Sequence, residues 1–296
     1  MAGIQLSQQP HYDFGLNSLK SVLITAGKIK RDSLELSEDV VLLRALRDTN
    51  LPKFVSEDVP VFLGLMSDIF PGLDCPRVKW IQNYANNFLL ENIFFLIFNL
   101  FLHWLEKLVQ IYETMLTQQA TMIVGQTYGG KSVVINTLLG LSTKLYPLNP
   151  KAISVAELYG TFEPGTREWT DGIFSKLFRE INKSTDKKER KYILFDGDVD
   201  SEWLENMNSV LDDNKLLTLT NGDRIRLESH CALLFEVGDL QYASPATVSR
   251  CGVVFIDPKD LSYTSNWHLQ DSHHSKLPEE HKCRFKCKGS TTLKNS

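Results

Sequence analysis

Ala120-Thr121-Met122-Ile123-Val124-Gly125-Gln126-Thr127-Tyr128-Gly129-Gly130-Lys131-Ser132, followed by VVINTLLGL, is the stretch that decides the fold. Its first five residues are a short apolar run stopping at a glycine, the pattern of a strand buried on both faces of a parallel sheet. The next eight fit G-x-x-x-x-G-K-[S/T] in full, and an apolar helix pattern follows. Strand, loop and helix in that order are the setting in which this motif cradles phosphate. The glycines let the backbone wrap an anion, with N–H groups turned inward from Gln126, Thr127 and Tyr128 as well as from Gly125, Gly129 and Gly130. The positive end of the following helix adds to the attraction. Lys131 is expected to reach the β- and γ-phosphates, and the Ser132 hydroxyl to ligate Mg²⁺. ATP with Mg²⁺ is the implied ligand.

A second buried strand, Tyr192 to Asp196 in KYILFDGDVD, ends on a carboxylate about sixty residues after the loop. Asp196 is therefore placed to hold Mg²⁺. Hydrolysis at such sites commonly needs a further carboxylate just after this one, to orient the attacking water. That position is Gly197, and Asp198 comes one residue later. The expected outcome is a site that holds Mg·ATP and positions water poorly. CALLFEV (231–237) and GVVFID (252–257) are further buried strands. WLENMNSVLDD reads as a helix. LLTLTNGDRIRL reads as a hairpin in which Asn221 and Gly222 supply two positive-φ positions. Strands alternating with helices indicate an α/β parallel sheet flanked by helices. Glu236, at the end of the third strand, either contacts the γ-phosphate through water or Mg²⁺ or caps the strand.

Ahead of this sheet the chain reads as helical. FGLNSLKSVLITAGKIKRD carries apolar residues at Leu16, Leu19, Leu23 and Ile24, one face of a helix, with Gly27, Lys28, Lys30 and Arg31 as its stop. EDVVLLRALRD is a second helix opened by Glu38 and Asp39. Ser56-Glu57-Asp58 before Pro60 starts a third. Phe88 to Leu105 is the most apolar segment, yet it is near the lower length limit for a membrane span and carries Glu91, Asn92, Asn99 and His103. A membrane span is not the expected reading.

The 296 residues carry a net charge of −4, which offers no basic surface for nucleic acid. Five scattered cysteines, an odd number, fit a reducing compartment better than a disulfide framework. The N-terminus lacks a secretion-signal layout. His273, His274, His281, Cys283 and Cys287 have no zinc-finger spacing, and the polar tail around them is expected to be disordered. Trp169 and Trp203 read as core or interface aromatics, and TDKKERK (185–191) as a solvated loop.

HYDFGLNSLKSVLITAG, LLRALRDTNLPKF, LNPKAISVAELYGTFEPGTREWTDG, ILFDGDVDSEWLENMNSVLDDNKLLTL and DLQYASPATVSRCG together resemble axonemal dynein heavy chains of the inner-arm type. The resemblance covers 11–78 and 107 to about 263. It implies an AAA+ P-loop fold in which 1–78 form the helical small subdomain of a preceding module. Residues 79–106 are then a divergent apolar linker, 107–263 the large α/β subdomain of the second module, and 264–296 a disordered tail. The resemblance implies a nucleotide-holding site, neighbouring AAA+ modules of the same heavy chain as partners, and a setting in the cytoplasm, cytoskeleton and ciliary or flagellar axoneme. Microtubules and dynein light or intermediate chains would be reached only through the full-length motor. It also implies a catalytic role for Arg250, as an arginine finger toward the neighbouring module's ATP. Without the resemblance, Arg250 reads as a surface arginine paired with a carboxylate.

The sequence departs from the family at Asn17, where an arginine usually contacts the first module's nucleotide. It also departs over 79–103, in the tail, and in Val134 to Pro150, read as a shortened helix after the loop. These departures suggest a partial or altered product of a longer gene.

Overall fold

The computed structural model describes residues 5–73, 94–139, 143–183, 190–212 and 214–258, with backbone only at 94–105, 139 and 201. The apolar run before Phe94, most of TDKKERK and the tail with its histidines and cysteines lie outside them.

Residues 5–73 include three helices of more than ten residues, α1 (Leu16–Asp32), α2 (Glu38–Asn50) and α3 (Val59–Ile69). Gly27 does not stop α1: the helix runs on to Asp32 and closes where Ser33 N–H donates to Ile29 O at 2.9 Å. An interior glycine costs only about 0.5–1 kcal/mol, which a helix of this length absorbs. The apolar stripe of α1 is not its core face. Leu16, Leu19, Leu23 and Ile24 are all exposed, and the helix buries Ser18 and Val22 instead. α2 starts as expected, with Ser37 Oγ accepting Val40 N–H. Asp58 stands at the start of α3 but turns its carboxylate back to Ser7 and to Tyr12 Oη, at 2.7 Å from the latter. Leu6, Leu43, Phe54, Phe62 and Met66 make a small core there.

A long helix, α4 (Phe94–Thr117), leads into the sheet. No helix among the described residues is long and apolar enough to cross a membrane. The chain continues through β1 (Ala120–Val124), α5 (Lys131–Leu139), β2 (Thr143–Leu148), a small hairpin β3 (Gly160–Phe162) with β4 (Trp169–Asp171), and α6 (Ile173–Ile181). It ends with β5 (Arg190–Asp196), a second hairpin β6 (Leu216–Thr218) with β7 (Arg224–Arg226), β8 (Cys231–Val237) and β9 (Gly252–Phe255).

The five-stranded sheet runs β2-β5-β8-β1-β9 with every pair parallel. It is an α/β sheet flanked by helices, of AAA+ P-loop type. β1 is buried at every position, because helices cover both faces. One face packs Phe174, Phe178, Phe195, Trp203 and Phe235, with Phe195 and Phe235 stacked at 4.8 Å; the other packs Ile111, Ile123, Val134 and Val254. Burying each such side chain contributes roughly 1.5–3 kcal/mol.

Three local expectations are corrected. Val134 to Pro150 is not one helix: α5 stops at Leu139, and Thr143–Leu148 is the edge strand β2. An edge position tolerates Pro147, which cannot donate to a ladder. WLENMNSVLDD breaks into one-turn pieces, 201–204, 205–207 and 208–211. In the β6–β7 hairpin only Gly222 has positive φ (+90°). Leu219 O accepts Gly222 N–H, and Leu219 N–H donates to Asp223 O. That is a three-residue loop closed by one left-handed glycine, rather than a two-residue turn.

The helices dock on the sheet through polar contacts. Asn17 Nδ2 donates to Ser249 Oγ at 3.1 Å, Gln118 Nε2 to Ser21 Oγ at 2.9 Å, and Ser56 Oγ to Asp257 Oδ2 at 3.1 Å. His11 stacks on Phe255 at 5.0 Å, and its burial lowers its pKa to about 4.

Candidate nucleotide-binding site

Ligands of an open parallel sheet sit beyond the C-terminal ends of its strands. The ends of β1, β5 and β8 meet here. The loop leaves β1 with Gly125 N–H donating to Val237 O at 3.2 Å. A Cβ on Gly125 would come within 2.3 Å of Ile256 O, so only glycine fits. Gly129 N–H closes on Gln126 O at 3.1 Å, and Gly130 takes φ +80° into α5. Tyr128 adopts φ +67° although it is not glycine, and its side chain is 90% exposed. That backbone conformation costs a side-chain-bearing residue roughly 1–2 kcal/mol.

Lys131 is buried and donates to Gly125 O and, at 3.4 Å, to Gln126 O. Burial lowers its pKa, while the charges of Glu236, Asp196 and Asp198 work the other way. Ser132 Oγ donates to Glu236 Oε1 at 2.6 Å. Asp196 and Glu236 are register partners on β5 and β8. The structure thus gathers Lys131, Ser132, Asp196 and Glu236 at one end of the sheet. The donor set fits Mg·ATP: a tight glycine loop, a buried cation, a hydroxyl at the start of α5, and carboxylates at the ends of β5 and β8.

Past Asp196 the geometry changes. Gly197 has φ +151°, and a Cβ there would stand 3.2 Å from Asn149 Oδ1. The position that lacks a carboxylate is also one where the backbone favours glycine. Asp198 pairs with Lys151 Nζ at 3.2 Å. Asn149 and Lys151 were not singled out from the sequence. The signal that could have found them is Asn149-Pro150, a turn marker at the end of β2.

Arg250 lies elsewhere. Gly252 opens β9 opposite Thr121, so Arg250 sits at the N-terminal end of the sheet, roughly 20 Å along the strands from the loop at about 3.3 Å per residue. Its Nε donates to Asp212 Oδ1 and its Nη1 to Ala246 O at 2.7 Å. Gln119 Nε2 donates to the Leu211 and Asp212 carbonyls at 2.7 Å, fixing the segment that carries Asp212.

Residues 1–132 match the family described as "Hydrolytic ATP binding site of dynein motor region", and residues 120–251 match "AAA domain (dynein-related subfamily)". The two matches overlap on β1 and the glycine loop. The chain is 66% identical over 274 residues to human "Dynein axonemal heavy chain 10", a match that takes in 90% of this chain. The chain belongs to the axonemal dynein heavy chains. It is also 58% identical over 268 residues to "Dynein-1-alpha heavy chain, flagellar inner arm I1 complex" of Chlamydomonas reinhardtii, covering 88% of this chain. Human "Dynein axonemal heavy chain 6" is 44% identical over 287 residues, covering 89%. The chain spans only 6–7% of the length of these dynein relatives. Within the dynein family, an AAA+ domain of this kind implies ATP as its nucleotide.

Proposed function

We propose that this chain is the part of an axonemal dynein heavy chain where one AAA+ module ends and the next begins, and that its site holds Mg·ATP with little hydrolysis. The observation that carries this reading is the contrast at the sheet's end between an intact grip and a glycine after Asp196. Gly125 N–H and Gly129 N–H close the loop on Val237 O and Gln126 O, the other backbone N–H groups of 126–130 hold the phosphates, and Lys131 exchanges its backbone carbonyl partners for phosphate oxygens. Ser132 and Asp196 hold the Mg²⁺, whose charge, when bound, neutralises the phosphates. Glu236, bonded to Ser132, orients that hydroxyl. No carboxylate follows Asp196 directly to aim a water at the γ-phosphorus.

In this reading the helices before Leu73 are the small subdomain of the preceding module. Arg250 serves that module's nucleotide, consistent with its place at the opposite end of the sheet from its own loop. Asn17, bonded to Ser249, then stands beside the same nucleotide. Partners are neighbouring modules of the heavy chain. Microtubules and associated chains are reached only through the full-length motor, in the axoneme of cilia or flagella.

Equilibrium dialysis of the chain against ATP tests this directly. One ATP per chain is expected, with retention that depends on Mg²⁺ and weakens in Asp196→Asn. Binding that is indifferent to both Mg²⁺ and Asp196 would overturn the assignment.

A further inference from the structure

Asp198, the first carboxylate after Asp196, sits between two neighbours. Its Oδ2 accepts from Lys151 Nζ at 3.2 Å, and its Oδ1 lies 3.5 Å from where a Cβ on Gly238 would be, just past β8. Asp198 therefore lies over the strand ends beside the site, and its charge is felt at Lys131. Lys151 approaches from the other direction. It follows β2, the edge strand, while the phosphate loop leaves β1, two strands beyond β5 on the opposite side. Strands lie about 4.8 Å apart, so the loop is roughly 10 Å from β5, and the pull of Lys151 points away from it. Lys151 is itself placed by the turn: Asn149 Oδ1 accepts Lys151 N–H at 3.0 Å, and this is the oxygen that stands against Gly197.

We propose that Lys151 is a positioning residue that keeps Asp198 off the water side of the nucleotide, and that freeing Asp198 speeds the slow conversion of the bound ATP. The inference rests on the reading that this site holds ATP. Freed, the Asp198 carboxylate accepts a proton from water as the water oxygen bonds to the γ-phosphorus. The bond from that phosphorus to the β–γ bridging oxygen breaks, releasing ADP and phosphate. Both side chains are at least half exposed (50% and 66%), and pairs so exposed shift an equilibrium by a factor of only about two to five. The change in rate is of that size.

The test uses this chain with bound Mg·ATP and three readouts: ATP affinity, single-turnover conversion of bound ATP to ADP, and carbodiimide cross-linking of Lys151 to Asp198 mapped by mass spectrometry. Lys151→Ala is expected to bind ATP as the wild type does and convert it about two to five times faster. Lys151→Arg is expected to stay at the wild-type rate, and Lys151→Ala with Asp198→Asn to return to it. The cross-link is expected in the free protein and with ATP bound. An unchanged rate in Lys151→Ala with ATP bound overturns the proposal alone. So does a gain that survives Asp198→Asn, which would mark a loosened fold, or a cross-link that vanishes with ATP. Failure of every variant to bind ATP overturns the holding reading and this proposal with it.

Discussion

At the end of β1 the local features suit the proposed grip: a glycine loop too tight for a Cβ at Gly125, a buried lysine, and a hydroxyl bonded to Glu236. At the end of β5, two strands away, the features serve restraint. Gly197 holds a backbone that disfavours a side chain, Asn149 fills the space beside it, and Lys151 occupies the next carboxylate. The two halves share the C-terminal end of one sheet and one set of carboxylates. On the proposed reading, binding and turnover are separable because they are built on different strands: the loop on β1, the water side on β5 with β2 beside it.

Three substitutions sharpen or break the contrast. Lys131→Ala should have the largest effect, since hydrogen bonds to a charged group are worth about 1.5–3 kcal/mol; ATP affinity by equilibrium dialysis should fall roughly tenfold to a hundredfold. An unchanged affinity would mean the loop does not grip. Gly197→Glu should lower thermal stability by about 1–3 kcal/mol, because it forces a side chain into a strained backbone. It should bring no gain in single-turnover hydrolysis. A large gain would show that the water side lacked only a side chain, against the geometry described. Tyr128→Gly should have the smallest effect. It relieves the positive φ in the loop, worth about 1 kcal/mol, partly offset by glycine's larger freedom when unfolded. Thermal stability should rise by no more than about 1 kcal/mol, with ATP affinity and hydrolysis untouched.

The strand, loop and helix around Lys131 were legible in the sequence because their signals are local. β1, β5 and β8 are built on the short apolar runs Met122–Val124, Tyr192–Phe195 and Cys231–Phe235, and the loop is contiguous with β1. The restraint was half legible. Gly197 could be read as a missing carboxylate, but not its φ. Lys151 and Asp198 are 47 residues apart, and they meet only because β2 pairs with β5. β2 itself was hidden: Thr143-Lys-Leu-Tyr-Pro-Leu has a lysine and a proline that an edge strand tolerates, and it follows helix-forming leucines. The stripe on α1 misled for a different reason. Leu16, Leu19 and Leu23 have helical spacing, but the face α1 packs against the described residues carries Ser18 and Val22.

On the proposed reading, this site keeps ATP as ATP. The most direct measurement is to purify the chain in Mg·ATP, remove free nucleotide, denature the protein and identify what is released by chromatography. ATP at close to one per chain is the expected result. ADP in its place, with contaminating ATPases excluded, or no nucleotide at all, would contradict the account.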